Sequence, residues 1–195
     1  QTPPDIDLDL VFSTFKRIIP SNLLSGVDII YVGNFDVFKV KEVNAVFQDG
    51  AIYVTNNQSS NEDMIDDIIH ELAHSVEEKF TEFIYDDNAL LEEFIKKRKT
   101  LYAVLDAYNY KPPAELKTNY HYETKIDLYL YKEVGYEPLW TLSNGIFPSP
   151  YSATSLREYF AIGFEFYFMK DKATIKKHCP ALYSKLELLE YMGDR

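Results

Sequence analysis

The run from Asn61 to Phe80 constrains the fold of this chain more than any other stretch. Met64, Ile65, Ile68, Ile69, Leu72, Ala73 and Val76 come mostly as adjacent pairs repeating every four residues, the i, i+3, i+4 signature of one buried helix face. Ser60 or Asn61 can cap its start. Glu62 and Asp63 fall in its first turn, where the helix dipole favours negative charge. Inside this helix stands His70-Glu71-Leu72-Ala73-His74. Positions i and i+4 lie one turn apart on one face, so the two imidazoles can grip a single Zn2+. Glu71, at i+1, is offset round the helix. The offset keeps it from serving as a third ligand and lets it reach a water beside the metal and take its proton.

The segments around this helix read as follows. Asn44–Phe47, Gln48-Asp49-Gly50 and Ala51–Thr55 form a hairpin, with Asp-Gly as its turn signal. An extended peptide can pair with a strand edge there, either Asn44–Phe47 or Ala51–Thr55. Upstream, Asp5 to Ile19 has helical apolar spacing and ends at Pro20, and Val27–Val32 is a β-branched strand closed by Gly33-Asn34. Downstream, a second long helix spans about Asn88 to Tyr108 and is broken by Lys111-Pro112-Pro113. Thr118–Val134 fits helix or strand. Tyr136–Tyr151 reads as loop, and the serines and threonines at 152–155 cap a very apolar helix over 155–170. A short turn and a last helix over about Ala181–Met192 follow. A helix, then strands, then helices is an α+β order, and 195 residues is the length of a single domain.

Composition removes several functions. With 7 glycines and neither GxGxxG nor GxxxxGKS, the common phosphate-cradling loops are missing. Acidic residues outnumber basic ones 31 to 20, for a net charge of −11, and no basic stripe marks a nucleic-acid binder. The sole cysteine, Cys179, allows no internal disulfide and no cysteine-based zinc cluster. It stands in a Lys-His-Cys-Pro stretch that reads as a helix end, not as a nucleophile. No apolar run approaches the roughly 18 residues of a membrane span, and no signal-peptide pattern opens the sequence. It begins at Gln1 instead of Met, as a processed or trimmed product would.

A catalytic zinc takes three protein ligands and keeps one position open. The metzincin pattern would place its glycine at Glu77 and its third histidine at Phe80, so it is not followed. Two glutamates remain. Glu93 follows His74 after eighteen residues, the spacing of thermolysin-like gluzincins. It also stands just before Lys96, Lys97 and Arg98, as on a solvated, ion-paired face. Glu158 opens the apolar stretch Glu158-Tyr159-Phe160-Ala161-Ile162-Gly163-Phe164. A carboxylate there is costly to bury unless a metal, a cation or a backbone N–H meets it.

Tyr151, followed seven residues on by Glu158 and Glu158-Tyr159-Phe160-Ala161 with Phe164 beyond, resembles a known pattern. Together with the His70–His74 motif, it is similar to the catalytic domain of anthrax lethal factor and its smaller relatives, the secreted Pro-Pro endopeptidases. The likeness covers roughly residues 44–80 and 148–190, including Cys179-Pro180-Ala181-Leu182-Tyr183. It implies a zincin-like fold of the gluzincin type, acting as a zinc endopeptidase; a monomer is expected, secreted or alternatively cytoplasmic. His70, His74 and Glu158 would hold Zn2+, Glu71 would be the general base, and Tyr151 would donate a hydrogen bond to the oxyanion. Protein or peptide substrates are expected, basic ones on charge and proline-containing ones on resemblance. The chain departs from the family in a longer gap before Glu158, which makes residues 82–145 look like an insertion, and in Ile162, where a second acidic residue is common. The rival readings are a gluzincin that uses Glu93 and a catalytically silent binding or effector module.

Overall fold

The computed structural model describes residues 6–41 and 43–192, which divide into two compact units. One unit comprises the chain up to Phe80 together with the part from Leu186 on. The other runs from Thr81 to Lys185. The architecture is α+β, mostly helical, with one three-stranded sheet.

In the first unit, α1 (Leu8–Ile18) is capped by Asp7, whose side chain accepts from the Leu10 N–H. Asp5, where the helix was expected to begin, lies outside the described residues. Pro20 ends the helix, and a 3-10 turn, Ser21–Gly26, leads to β1 (Ile29–Gly33). After a short α2 (Asp36–Lys41) come β2 (Ala45–Gln48) and β3 (Ala51–Thr55). Asp49 and Gly50 both have positive φ, 51° and 78°, as a two-residue hairpin turn requires. The strand order is β1-β3-β2, with β1 parallel and β2 antiparallel to β3. β3 is therefore central and has no open edge. Of the two strands expected to receive a peptide, Ala51–Thr55 is ruled out and Asn44–Phe47 keeps a free side.

The long α3 (Asn61–Lys79) packs on β2, β3 and α1. Its N-cap is Ser60, which accepts from the Asp63 N–H at 3.1 Å. The expected apolar face is the buried one: Met64, Ile68, Ile69, Leu72 and Ala73 are fully covered, against Val11, Ile52 and Val54 among others in the core. The backbone of Gly26 comes so close to Ser75 that a side chain there would collide with the Ser75 hydroxyl, which fixes the 3-10 turn against the helix.

The second unit holds α4 (Thr81–Tyr85), α5 (Ala89–Ala107), a 3-10 turn (Ala114–Lys117), α6 (Thr124–Leu128) and a π-helical turn (Tyr129–Val134). It continues with α7 (Tyr136–Ser143), a 3-10 turn (Tyr151–Ala153), α8 (Leu156–Phe168), α9 (Lys172–His178) and the start of α10 (Pro180–Tyr191). Residues 118–134 thus resolve as helical from Thr124 on, with no strand. Two expectations are corrected. Tyr136–Ser143 is a helix and not loop, because Pro138 sits in its first turn, where a missing N–H costs nothing. The short turn before the last helix is itself helical, α9, capped by Asp171. Cys179 follows α9 and is buried, and burial pushes its thiol up from the ordinary value. Among the described residues no helix is long and apolar enough to cross a membrane.

Candidate metal centre

Local helix geometry puts His70, Glu71 and His74 on α3, in the first unit. One potential ligand atom from each lies within 4.8 Å of the others, so the three could hold a metal ion. His74 is buried, and His70 and Glu71 are half-buried. The imidazole rings stand edge to face, with centroids 4.9 Å apart. The His74 Nδ1 faces Glu77 Oε2 at 3.6 Å, which leaves Nε2 as the nitrogen for a cation. Two imidazoles with a carboxylate behind one of them are a donor set that suits Zn2+.

Glu71 differs from expectation in one respect. Its offset at i+1 does not keep it out of the cluster, because a glutamate side chain is long enough to bring its oxygen back beside the imidazoles. It is also tethered: the Phe47 N–H of β2 donates to Glu71 Oε2 at 2.6 Å. Val46 and Gln48 face β3 residues Tyr53 and Ala51, and the Asn44 carbonyl accepts from Thr55 N–H. In an antiparallel ladder the alternate residue, Phe47, turns its peptide group outward. The open edge of β2 thus points at the carboxylate of the motif. Neither this amide nor Glu77 is visible as part of a site in the sequence, since the one contact is made through space and the other residue has no motif position of its own.

One turn before His70, Asp67 accepts from Gln58 Nε2 at 2.7 Å. Burial raises its pKa to about 6. The Gln58 bond and His70 oppose the shift, and Glu71 and Asp66 add to it.

Glu158, Tyr151 and Glu93 all lie in the second unit. Glu158 occupies the first turn of α8, and its N–H donates to the N-cap Ser155 Oγ at 3.1 Å. It is half-buried, and its charge reaches the nearby Tyr122 phenol. That phenol is raised in pKa by burial first, then by a hydrogen bond to Asp127 and by the Asp127 and Glu158 charges. Tyr151 begins the 3-10 turn before α8 and is 44% exposed.

Glu93 has a different occupation. Its Oε1 accepts from the Tyr159 hydroxyl at 2.8 Å and the Leu182 N–H at 3.2 Å, and its Oε2 from the Ala181 N–H at 2.8 Å. It caps the N-terminus of α10 from a neighbouring helix. The solvated, ion-paired face expected beside it is also corrected, because Lys97 and Arg98 are buried. Lys97 Nζ donates to the carbonyls of Ile146 and His178 at 2.6 Å each. The fully buried Arg98 donates to the carbonyls of Ala153, Thr154 and Asn119. It therefore clamps the backbone immediately before α8.

No protein-family model, no curated protein and no solved structure matches this chain.

Proposed function

We propose that the chain is a zinc-dependent endopeptidase of zincin-like type, with His70, His74 and Glu158 as ligands, Glu71 as general base and Tyr151 as oxyanion donor. The observation that carries this reading is the convergence of His70, Glu71 and His74 on α3, with the open edge of β2 tethered to Glu71. Assigning Glu158 and Tyr151 rests on the resemblance in sequence. Glu93 is disfavoured as the third ligand because both its oxygens already serve the end of α10.

Zinc held by these residues would polarise a scissile carbonyl and lower the pKa of a water. Glu71 takes a proton from the attacking water and delivers it to the leaving amine. The Phe47 N–H on Oε2 leaves Oε1 to do this. The Tyr151 phenol donates to the developing oxyanion, which stabilises the transition state more than the ground state. A substrate adding to β2 as a further strand would bring its backbone past Glu71.

Metal analysis and peptide-library cleavage, with and without chelator, test the reading. The expected result is one zinc per chain and cleavage that chelator abolishes. Glu71→Gln should keep zinc and lose cleavage. Glu158→Gln should weaken zinc binding by about a hundredfold or more, beyond the range usual for a supporting residue. Glutamine can still fill the capping-box position that follows Ser155, so helix formation is preserved. Glu93→Gln should leave zinc affinity unchanged. A chain that takes up no zinc, or loses it only with Glu93→Gln, overturns the assignment.

A further inference from the structure

The sheet of the first unit has two edges. β2 forms one, and β1 forms the other, pairing among the described residues with β3 alone. We propose that the open edge of β1 is a docking site for an extended segment of a basic partner protein, which adds to the sheet as a fourth strand. This goes beyond the peptidase reading and does not rest on it, since β1 lies on the far side of β3 from Phe47 and its bond to Glu71.

The backbone of β1 offers the bonds such a strand needs. Thr55 N–H donates to the Asn44 carbonyl on the β2 side of β3, and Asn56 N–H donates to the Gly33 carbonyl on the β1 side at 3.0 Å. Gly33, and with it Tyr31 and Ile29, therefore turns its peptide groups toward β3, in register with Thr55, Tyr53 and Ala51. The alternate residues, Ile30 and Val32, turn their N–H and C=O groups outward. At the start of the strand the Asp28 N–H donates to the Gly50 carbonyl at 2.8 Å, which anchors β1 beside the hairpin turn.

The side chains leave this edge unguarded. Natural edge strands are blunted by lysine, proline or a bulge. Ile29-Ile30-Tyr31-Val32-Gly33 has neither lysine nor proline, and its register with β3 is unbroken. Ile29 is 44% and Tyr31 41% exposed on one face, while Ile30 and Val32 are half-buried on the other. The Tyr31 ring is held in place, stacked on Tyr53 at 5.2 Å and edge-on to Phe35 at 6.4 Å. An added strand thus meets apolar side chains on both faces, already fixed before it arrives.

Charge selects the occupant. The first unit has seventeen acidic and six basic residues, and the second has fourteen of each. The whole net charge of −11 therefore belongs to the unit that carries β1. Asp28 and Asp36 stand exposed before and after the strand, and Asp49 stands exposed in the neighbouring turn. A second copy of the chain would bring the same charge against itself, whereas a cationic segment is drawn in.

The test uses three blocked nonapeptides with a Val-Thr-Val-Thr-Val core, flanked on each side by two Lys, two Gln or two Glu. Each is added to the full chain carrying Glu71→Gln, which leaves the probe intact, and amide hydrogen exchange is read residue by residue. The Lys-flanked peptide should slow exchange at Ile30 and Val32 by about tenfold or more. It should bind about tenfold or more tightly than the Glu-flanked peptide near 0.01 M salt, with the gap narrowing toward about 0.15 M. Ile30→Pro removes one outward N–H at a position where an edge strand tolerates proline, and Ile29→Lys places a charge on the exposed face. Each should weaken the Lys-flanked peptide by about tenfold. Leu10→Lys adds the same charge at an exposed position on α1 and should change binding far less. If Ile30→Pro does not fold, Ile29→Lys against Leu10→Lys decides alone. Protection at Ala45 of β2 in place of Ile30 and Val32, equal binding of the three peptides, or equal effects of Ile29→Lys and Leu10→Lys overturns the proposal. A concentration-dependent dimer that protects Ile30 and Val32 without peptide also overturns it, by giving the edge to a second copy. None of these readings depends on zinc or cleavage, so a chain that takes up no metal removes the peptidase reading and leaves the docking edge to stand on its own results.

Discussion

An N–H at 2.6 Å from a carboxylate fixes which way that carboxylate can turn, and at Glu71 the donor is the backbone of Phe47. Proline at 47 deletes the donor and leaves the β2–β3 ladder intact, because this N–H faces away from β3 and proline is tolerated on such edges. Phe47→Ala keeps the amide and loses only the ring, so it is the reference. On the proposed peptidase reading, Phe47→Pro should cleave roughly tenfold or more slowly than Phe47→Ala at equal zinc content, the effect of losing one hydrogen bond to a charged group. Equal rates in the two variants would show that the tether does not orient the base. Asp67 offers a prediction about pH. Its carboxyl is raised by burial from 3.8 to about 6, so the folded state holds this proton more tightly than the unfolded chain does. Its contribution to stability is complete below pH 3.8 and is lost as pH rises through about 6. In metal-free protein, Asp67→Asn should therefore be more stable than the parent at pH 7.5 by about 3 kcal/mol, with the difference shrinking toward pH 4. Thermal melts in chelator across that range read it directly, and a gap that stays constant with pH removes Asp67 as its source.

The elements of the second unit are tied by long cationic side chains to distant carbonyls, and this makes α8 depend on α5. Arg98 donates to three carbonyls, two of them in the residues leading into α8, while its guanidinium lies 4.8 Å over the Phe94 ring. Burial lowers its pKa to about 10, which still leaves it charged at neutral pH. Arg98→Met keeps an unbranched apolar stem but leaves these carbonyls unpaired, at a cost of about 3 kcal/mol or more. For a chain of this size that is a melting temperature lower by about 10 °C. Arg98→Lys should fall between, since one ammonium cannot copy the planar fork. If Arg98→Met melts with the parent, the clamp carries no stability. None of this was legible in the sequence, where Glu93, Lys97 and Arg98 look like an ordinary charged helix face; their partners are 21 to 89 residues away. What was legible was local. The apolar periodicity of α1 and α3, the Ser60 cap of α3, the Asp-Gly hairpin and the His70–His74 spacing each announce themselves within a few residues. The helix at Tyr136–Ser143 was hidden because Gly145, Pro148 and Pro150 made the whole of Tyr136–Tyr151 read as loop, although they lie beyond the helix and Pro138 stands in its first turn, where proline is welcome. β3 as the central strand was hidden for a related reason, because strand order is set by the pairing with β1 and not by any turn signal.

Over the whole molecule, 31 acidic residues against 20 basic ones leave a net charge of −11, and that charge acts beyond any single contact. A field of this sign concentrates cationic solutes near the surface and speeds their encounter, an effect carried by association and not by chemistry. In the peptidase proposed above it belongs in kcat/KM measured well below saturation, and it should fade as salt shortens the Debye length from about 30 Å near 0.01 M to about 8 Å near 0.15 M. Three peptides sharing one cleaved core and flanked by Lys, by Gln or by Glu separate this from local recognition. As salt rises over that range, kcat/KM for the Lys-flanked peptide should fall several-fold, that for the Gln-flanked peptide should hardly change, and that for the Glu-flanked peptide should rise. Zinc, pH and temperature are held fixed, and kcat at saturation serves as the control, since screening of encounter leaves it in place. A common salt response in all three peptides would mean that the acidic excess plays no part in choosing substrates. Opposite slopes would mean that the long-range field selects basic peptides before any pocket reads a side chain.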